Sequence, residues 1–470
     1  MIVPDWIQDA IFYQIFPDRF ANGDLSNDPP NVRPWEATPT TWGFHGGDLR
    51  GIIQHFDYLQ DLGINAIYLN PIFQATSNHR YNTTDYFHID PKLGSMEDFR
   101  SFLSVAHQHD VRVVLDGVFN HCGRGFFAFN DILENQEHSP YLNWFHVKDF
   151  PVEAYSFGDA RDYLGWWSMK SLPKLNTSNP AVRRYIFDVA RYWIEQGIDG
   201  WRLDVPNEID DDSFWAEFRH VVKSANPEAY ILGEVWTADR RWVGDTHFDG
   251  LMNYPVRDAL LRLLFAGTLD IPHFAEKIED LLEYYPRENA YAMYVAAGSH
   301  DTERLLTKVG GDVDKVRLAF LFLFAYPGAP AIYYGDEIGL TGAKDPDCRA
   351  AFPWATHRWN RPLRDWVKQL IALRKKLEVL RRGKFMRVCL NVNEACYAFA
   401  RLMGGQQVVV VLNASSTYRK ICIPVETVGW TDGMRLYDLL QPGVEYGVDH
   451  GCFEVALPAW GGTWVSNKAV

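Results

Sequence analysis

The chain has 470 residues, enough for two or three domains, and 47% of them are hydrophobic, so a large core can be buried. Forty-six Lys and Arg against 60 Asp and Glu leave a net charge of −14, which excludes nucleic-acid phosphates as the main partner. Charged residues at 23% exclude wholesale disorder, and the 17 Trp, 23 Tyr and 29 Phe provide either core packing or flat stacking surfaces for a ligand such as a sugar.

The N-terminal stretch from Met1 to Asp9 has neither a basic region nor an apolar one, so no secretory leader is expected and the protein reads as cytoplasmic. No run approaches the roughly 18 apolar residues of a membrane span. The longest candidate, near Leu318–Tyr334, is broken by Pro327, Gly328 and Pro330. The six cysteines (Cys122, Cys348, Cys389, Cys396, Cys422, Cys452) lack metal-type spacing and are expected to be buried reduced thiols.

Short apolar segments alternate with segments of helical period. Strands are predicted at 10–15, 64–69, 111–116, 200–204, 230–234, 248–252, 291–297 and 331–334. Phe99, Phe102, Leu103 and Ala106 share one helical face, as do Val182, Ile186, Val189 and Trp193. Strands alternating with helices in this way predict an α/β fold, a parallel (β/α)8 barrel, spanning 1–121 and 180–383. Residues 122–179, after the third strand, are long, aromatic and irregular, and predict a small inserted subdomain. From 384 to 470 the helical periods stop. Alternating runs such as 407–412 and 420–424 predict a C-terminal antiparallel β-sandwich.

Asp116, Asp204, Glu234 and Asp301 each fall at or just past the end of an apolar strand. In a barrel those ends converge on one mouth, where active sites are built. Any one such acid could be a helix cap or a turn former; four at the same end point to chemistry. Arg202 and Asp204 are two apart on a strand, so they face the same way, and the guanidinium is expected to keep the carboxylate ionised. Glu234 lies among apolar neighbours in Gly233-Glu-Val-Trp236, where burial would raise its pKa, as suits a general acid. His300 beside Asp301 could bind substrate hydroxyls. A pair of carboxylates suffices for glycoside hydrolysis, and a third can stabilise the transition state.

At these residues the sequence resembles the α-amylase superfamily of glycoside hydrolases. Asp116-Gly-Val-Phe-Asn-His121, Gly200-Trp-Arg-Leu-Asp204, Gly233-Glu-Val-Trp236 and Gly298-Ser-His-Asp301 look like its four regions in order, and the likeness runs from Phe12-Tyr-Gln-Ile-Phe-Pro-Asp-Arg-Phe20 to the terminal β domain. The resemblance implies a retaining mechanism with Asp204 as nucleophile, Glu234 as acid/base and Asp301 as transition-state stabiliser. It implies that Tyr81, Asp116, His121, Arg202 and His300 line the subsite of the attacked glucose. Leu172-Pro-Lys-Leu-Asn176, Val205-Pro-Asn-Glu208 and Asp345-Pro-Asp-Cys-Arg349 are similar to the neopullulanase, cyclomaltodextrinase and maltogenic amylase group. By that likeness Asp345 and Arg349 bind a sugar on the non-reducing side and Trp236 flanks the leaving group. Trp166 and Trp167 are cleft-wall or core residues on equal footing.

The sequence departs from that group at Pro206, where Ala is common, and at Asn82, where Asp is usual. The barrel pattern begins near residue 10, so the group's N-terminal β domain is expected to be absent. The implied activity is hydrolysis of α-1,4 bonds, with α-1,6 bonds as a further class, in maltooligosaccharides, starch, pullulan or cyclodextrins. Transfer to a sugar acceptor is the alternative on the same scaffold.

Asn22, Asp24, Asn27 and Asp28 crowd one Gly-containing loop. Spacing alone leaves turn chemistry and a Ca2+ site equally open. The loop resembles the calcium loop of the neopullulanase group, completed there by a Gly carbonyl and an Asp that Gly46 and Asp48 match, which implies a structural calcium ion.

Overall fold

The computed structural model describes residues 3–264 and 269–469; the first two residues of the N-terminal stretch lie outside it. Eight parallel strands form the central sheet: β1 (Phe12–Ile15), β2 (Ala66–Leu69), β3 (Arg112–Gly117), β4 (Gly200–Leu203), β5 (Tyr230–Gly233), β6 (Gly250–Leu251), β7 (Tyr294–Ala296) and β8 (Ala329–Tyr333). Their order is β6-β5-β4-β3-β2-β1-β8-β7, and a parallel bridge between Met252 and Tyr294 joins the two ends, so the sheet closes into a barrel. The strands are buried on both faces because helices cover the outside, which is why they read as continuous apolar runs. Phe12, Tyr68, Val114, Leu232, Tyr294 and Ala331 pack together in the interior, while the alternate residues Tyr13, Ile67, Val113, Ile231 and Ile332 pack outward on the helices.

This alternation positions the site. Stepping by twos along the inward face leads from Phe12 to Gln14, from Tyr68 to Asn70, from Val114 to Asp116, and from Leu232 to Glu234. The polar residues therefore crown the apolar interior at the carboxyl end. Both predicted helical faces are buried. Helix Met96–Gln108 starts at a Ser95/Asp98 capping box, and helix Pro180–Glu195 starts with an Asn179 cap and Pro180 in its first turn.

After β2 comes an antiparallel hairpin, Phe73–Ala75 with Thr83–Ile89, which the sequence pattern did not reveal. Residues 122–179 carry the helix Phe127–Asn135 and short turns, tied back by bridges from His121 to Lys174 and from Phe145 to Leu175.

The C-terminal strands are β9 (Lys384–Asn391), β10 (Cys396–Met403), β11 (Gln406–Asn413), β12 (Arg419–Pro424), β13 (Arg435–Asp438), β14 (Glu445–Gly447), β15 (Cys452–Leu457) and β16 (Gly462–Ser466). Six form one antiparallel sheet in the order β9-β10-β11-β16-β13-β14, and β12 pairs with β15 in a second. Ile421, Ile423, Phe453 and Val455 from the pair pack against Ala398, Val409 and Val465, which makes a sandwich.

One cysteine expectation is corrected. Cys422 on β12 and Cys452 on β15 form a disulfide, with Cα atoms 5.8 Å apart, because the register sets Cys452 opposite Pro424. Cys122, Cys348, Cys389 and Cys396 are unpaired. Among the described residues no helix is long and apolar enough to cross a membrane.

Candidate active site

The barrel mouth gathers Asp116, Arg202, Asp204, Glu234, His300 and Asp301. Arg202 is fully buried and stands at the centre. Its Nη1 lies 2.9 Å from Asp116 Oδ1 and 3.1 Å from Asp204 Oδ1, and its Nη2 lies 2.8 Å from Glu234 Oε2. Asp301 belongs to a second cation: Arg349 Nη2 is 3.3 Å from Asp301 Oδ1, and Arg349 Nη1 is 3.2 Å from Asp345 Oδ1. Arg349 Nε also donates to the His300 carbonyl at 2.9 Å, so the late loop is fastened to the end of the β7 segment.

Burial pushes Glu234 up to about 7, against the pull of Arg202. Burial also raises Asp204, helped by the charge of Glu234 and opposed by Arg202. The expectation that Arg202 keeps the Asp204 carboxylate ionised meets a larger opposing effect: burial raises Asp204, and the one guanidinium is divided among three buried carboxyls. A proton on Glu234 removes one of the charges that raise Asp204, and nucleophilic attack requires Asp204 to be the anion beside Arg202. Asp301 and Asp116 are also raised, chiefly by burial.

His121 and His300 are buried and held neutral, His121 at about 3 and His300 well below its usual value, with burial as the main cause. Tyr81, presented by the hairpin, donates to Asp116 Oδ2 at 2.8 Å and stacks on His300 with centroids 5.4 Å apart. His121 stacks on Trp166, which stacks on Trp167, and Trp167 is 73% exposed, so this ladder of rings leads out of the site and is not core. Trp236 is half-exposed, stacks on Tyr254 and directs Nε1 to Glu234 Oε1 at 3.3 Å.

Two departures find local explanations. Pro206 begins the short turn Pro206–Glu208, whose Glu208 carbonyl accepts from Lys174 Nζ at 2.7 Å, so two of the motifs meet. Asn82 bonds Ser77 and Thr76 within its own loop.

Sequence reasoning missed Gln14, Tyr68, Asn70 and Val205. Val205 follows Asp204 with φ +36°, a strained conformation for a β-branched residue, and its N–H donates to Glu234 Oε2 at 3.1 Å.

The candidate calcium loop converges in part. Asn22 Oδ1 and Asn27 Oδ1 are buried without hydrogen-bond partners, as oxygen ligands of a cation would be. A Cβ on Gly46 (φ +82°) would meet Asp28 Oδ1 at 2.2 Å, so only glycine brings its backbone that close. Asp48 accepts from the amides of Gly23, Asp24 and Gly51, and Asp24 bonds Ser26 and Arg50. Among the described residues no three His, Cys, Asp or Glu side chains cluster as a metal site, so oxygens of Asn22, Asn27 and the Gly46 backbone have to complete any set.

A crown of carboxyls at the mouth of a (β/α)8 barrel, one of them held as an acid near neutrality, defines the class of barrel glycoside hydrolases. The family model described as alpha amylase, catalytic domain, matches residues 14–376, and the chain belongs to the α-amylase family. It is 45% identical over 463 residues to a cyclomaltodextrinase from Geobacillus thermopakistaniensis (strain MAS1), covering 97% of this chain and 77% of that one. It is 44% identical over 434 residues to neopullulanase 2 of Thermoactinomyces vulgaris, covering 91% and 74%. The structure of the cyclic α-maltosyl-(1→6)-maltose hydrolase of Arthrobacter globiformis superposes with a TM-score of 0.90 at 41% identity, covering 99% of each chain.

Proposed function

We propose that the protein is a retaining glycoside hydrolase that cleaves α-1,4-glucosidic bonds of maltooligosaccharides and related glucans, with α-1,6 bonds as a second class. The observation that carries this reading is the convergence of Asp204 and Glu234 on Arg202 at the barrel mouth, with burial pushing Glu234 up to about 7. Asp204 attacks the anomeric carbon as the glucosidic C–O bond breaks, and Glu234 gives its proton to the leaving oxygen. The glycosyl ester on Asp204 is then released by water, whose proton returns to Glu234, and the sugar leaves with its original configuration. A sugar hydroxyl in place of that water would give transfer.

Asp301 stabilises the positive charge developing at the anomeric carbon. Tyr81, Asp116, His121 and His300 hold hydroxyls of the attacked sugar; Asp345 and Arg349 hold the preceding one, and Trp236 the leaving side. The Arthrobacter relative, named for an α-1,6-linked substrate, supports the second bond class. The test is the product profile on maltotriose, pullulan and cyclodextrins: glucose and maltose from the first support the reading, and no cleavage of any of the three contradicts it.

Calcium belongs to the proposal as a structural ion. Asn22, Asn27, Asp28 and the Gly46 carbonyl would hold it, with Asp24 and Asp48 completing the set, and it supplies charge to fix the loop, not chemistry. The cytoplasmic placement is also a proposal. The four unpaired cysteines support it and the Cys422–Cys452 bridge opposes it, so thiol trapping in cell extracts tests it.

A further inference from the structure

Gln14 and Asn70 have no part in the chemistry above, yet both are buried among its side chains at the inward ends of β1 and β2. The direction of their hydrogen bonds is decided at Asp116. Asp116 Oδ2 accepts from Tyr68 Oη at 2.5 Å and from Tyr81 Oη at 2.8 Å, and Arg202 Nη1 lies 2.9 Å from Oδ1. Every one of these groups is a donor, so the carboxylate accepts only, and both phenol protons are committed to it.

Asn70 Nδ2 lies 3.0 Å from Tyr81 Oη and 3.4 Å from Tyr68 Oη, where only lone pairs remain, so it donates. Asn70 Oδ1 therefore faces Gln14 and accepts from Gln14 Nε2 at 3.1 Å. The same Gln14 amide nitrogen lies 2.8 Å from His300 Nδ1. Reversing the Gln14 amide would set two carbonyl oxygens against each other. Nδ1 thus accepts, and the proton of the neutral ring sits on Nε2, 2.6 Å from Tyr81 Oη and 3.1 Å from Asp301 Oδ2. The other tautomer would turn a lone pair toward that carboxylate.

We infer that Gln14 and Asn70 are positioning residues of the hydrolase: they pass the acceptor character of Asp116 along the barrel mouth to His300 and fix its Nε2–H toward Asp301. This rests on the catalytic reading of Asp301 above. The charged and titratable groups around the ring are Asp301, Tyr81, Arg349, Arg202 and His79. Burial and the two arginines disfavour a second proton, so the neutral ring persists.

The test is 15N NMR of the substrate-free full chain labelled at histidine, with the His300 signals assigned by their loss in His300→Gln. Nε2 protonated and Nδ1 bare is the expected pattern; a proton on Nδ1 in the wild type overturns the relay. In Gln14→Glu a carboxylate faces Nδ1, so Nδ1 should become protonated and kcat should fall by about tenfold or more with KM changed far less. An unchanged tautomer in that variant also overturns the relay, because a merely structural glutamine would alter stability and not the proton. The expected tautomer in an enzyme without hydrolytic activity would instead count against the catalytic reading.

Discussion

Glu234 Oε2 stands 2.8 Å from Arg202 Nη2 with both side chains buried, yet the carboxyl is pushed up to about 7. Desolvation outweighs a direct ion pair because the same guanidinium also answers to Asp116 and Asp204. An acid that keeps its proton near neutrality is what protonation of a leaving group requires.

Glu234→Gln should lower kcat on natural glucans by about 10²–10⁴-fold, the usual contribution of a general acid. Glycosylation by an activated glucosyl fluoride should be spared, since fluoride leaves without protonation. Burst kinetics with the fluoride check this, and equal losses on both substrates would deny Glu234 the acid role.

Activity should fall as pH rises through about 7, where Glu234 loses its proton. Stability follows the same group. Its folded pKa is raised above the ordinary glutamate value of about 4.5, so its contribution is complete below about 4.5 and is lost as pH rises through about 7. The amount is on the order of 3 kcal/mol. Glu234→Gln should therefore gain in Tm over the wild type at pH about 8 relative to pH about 5. Calorimetry at both values checks the sign.

Asp301→Asn should cost several kcal/mol of transition-state stabilisation, seen as a large fall in kcat at nearly constant ground-state affinity. The amide keeps the contact to Arg349 in shape but lacks the charge that meets the oxocarbenium. A loss confined to KM would make Asp301 a binding residue only.

EDTA should lower the Tm of the wild type. Asp28→Ala should lower it too and abolish the response to EDTA, whereas Asp24→Ala should have the smaller effect, since Asp24 already bonds Ser26 and Arg50. A wild-type Tm indifferent to chelation would make 20–29 an ordinary loop.

The barrel and the four acids were legible because each strand is a short apolar run and each acid closes one, a signal contained within a few residues. What escaped depends on distance. Gln14 reads as a stray polar residue in a strand; its partner His300 is 286 residues away and becomes visible only when β1 and β7 are seen in one barrel. Cys422 and Cys452 are 30 residues apart, and their pairing is set by the register of β12 on β15, which alternation does not fix. The raised pKa of Glu234 was foreseen from its apolar neighbours. The raised pKa of Asp204 was not, because the sharing of Arg202 among three carboxyls is a property of the assembled mouth.

Asp204 is the proposed nucleophile that forms a covalent glycosyl ester, a mechanism that requires its carboxyl to lie about 5–5.5 Å from that of Glu234 with no room for an intervening water. The most direct measurement is the anomeric configuration of freshly released sugar, followed by 1H NMR before mutarotation. Release of the α-anomer from an α-glucan is predicted; initial release of the β-anomer would contradict the account.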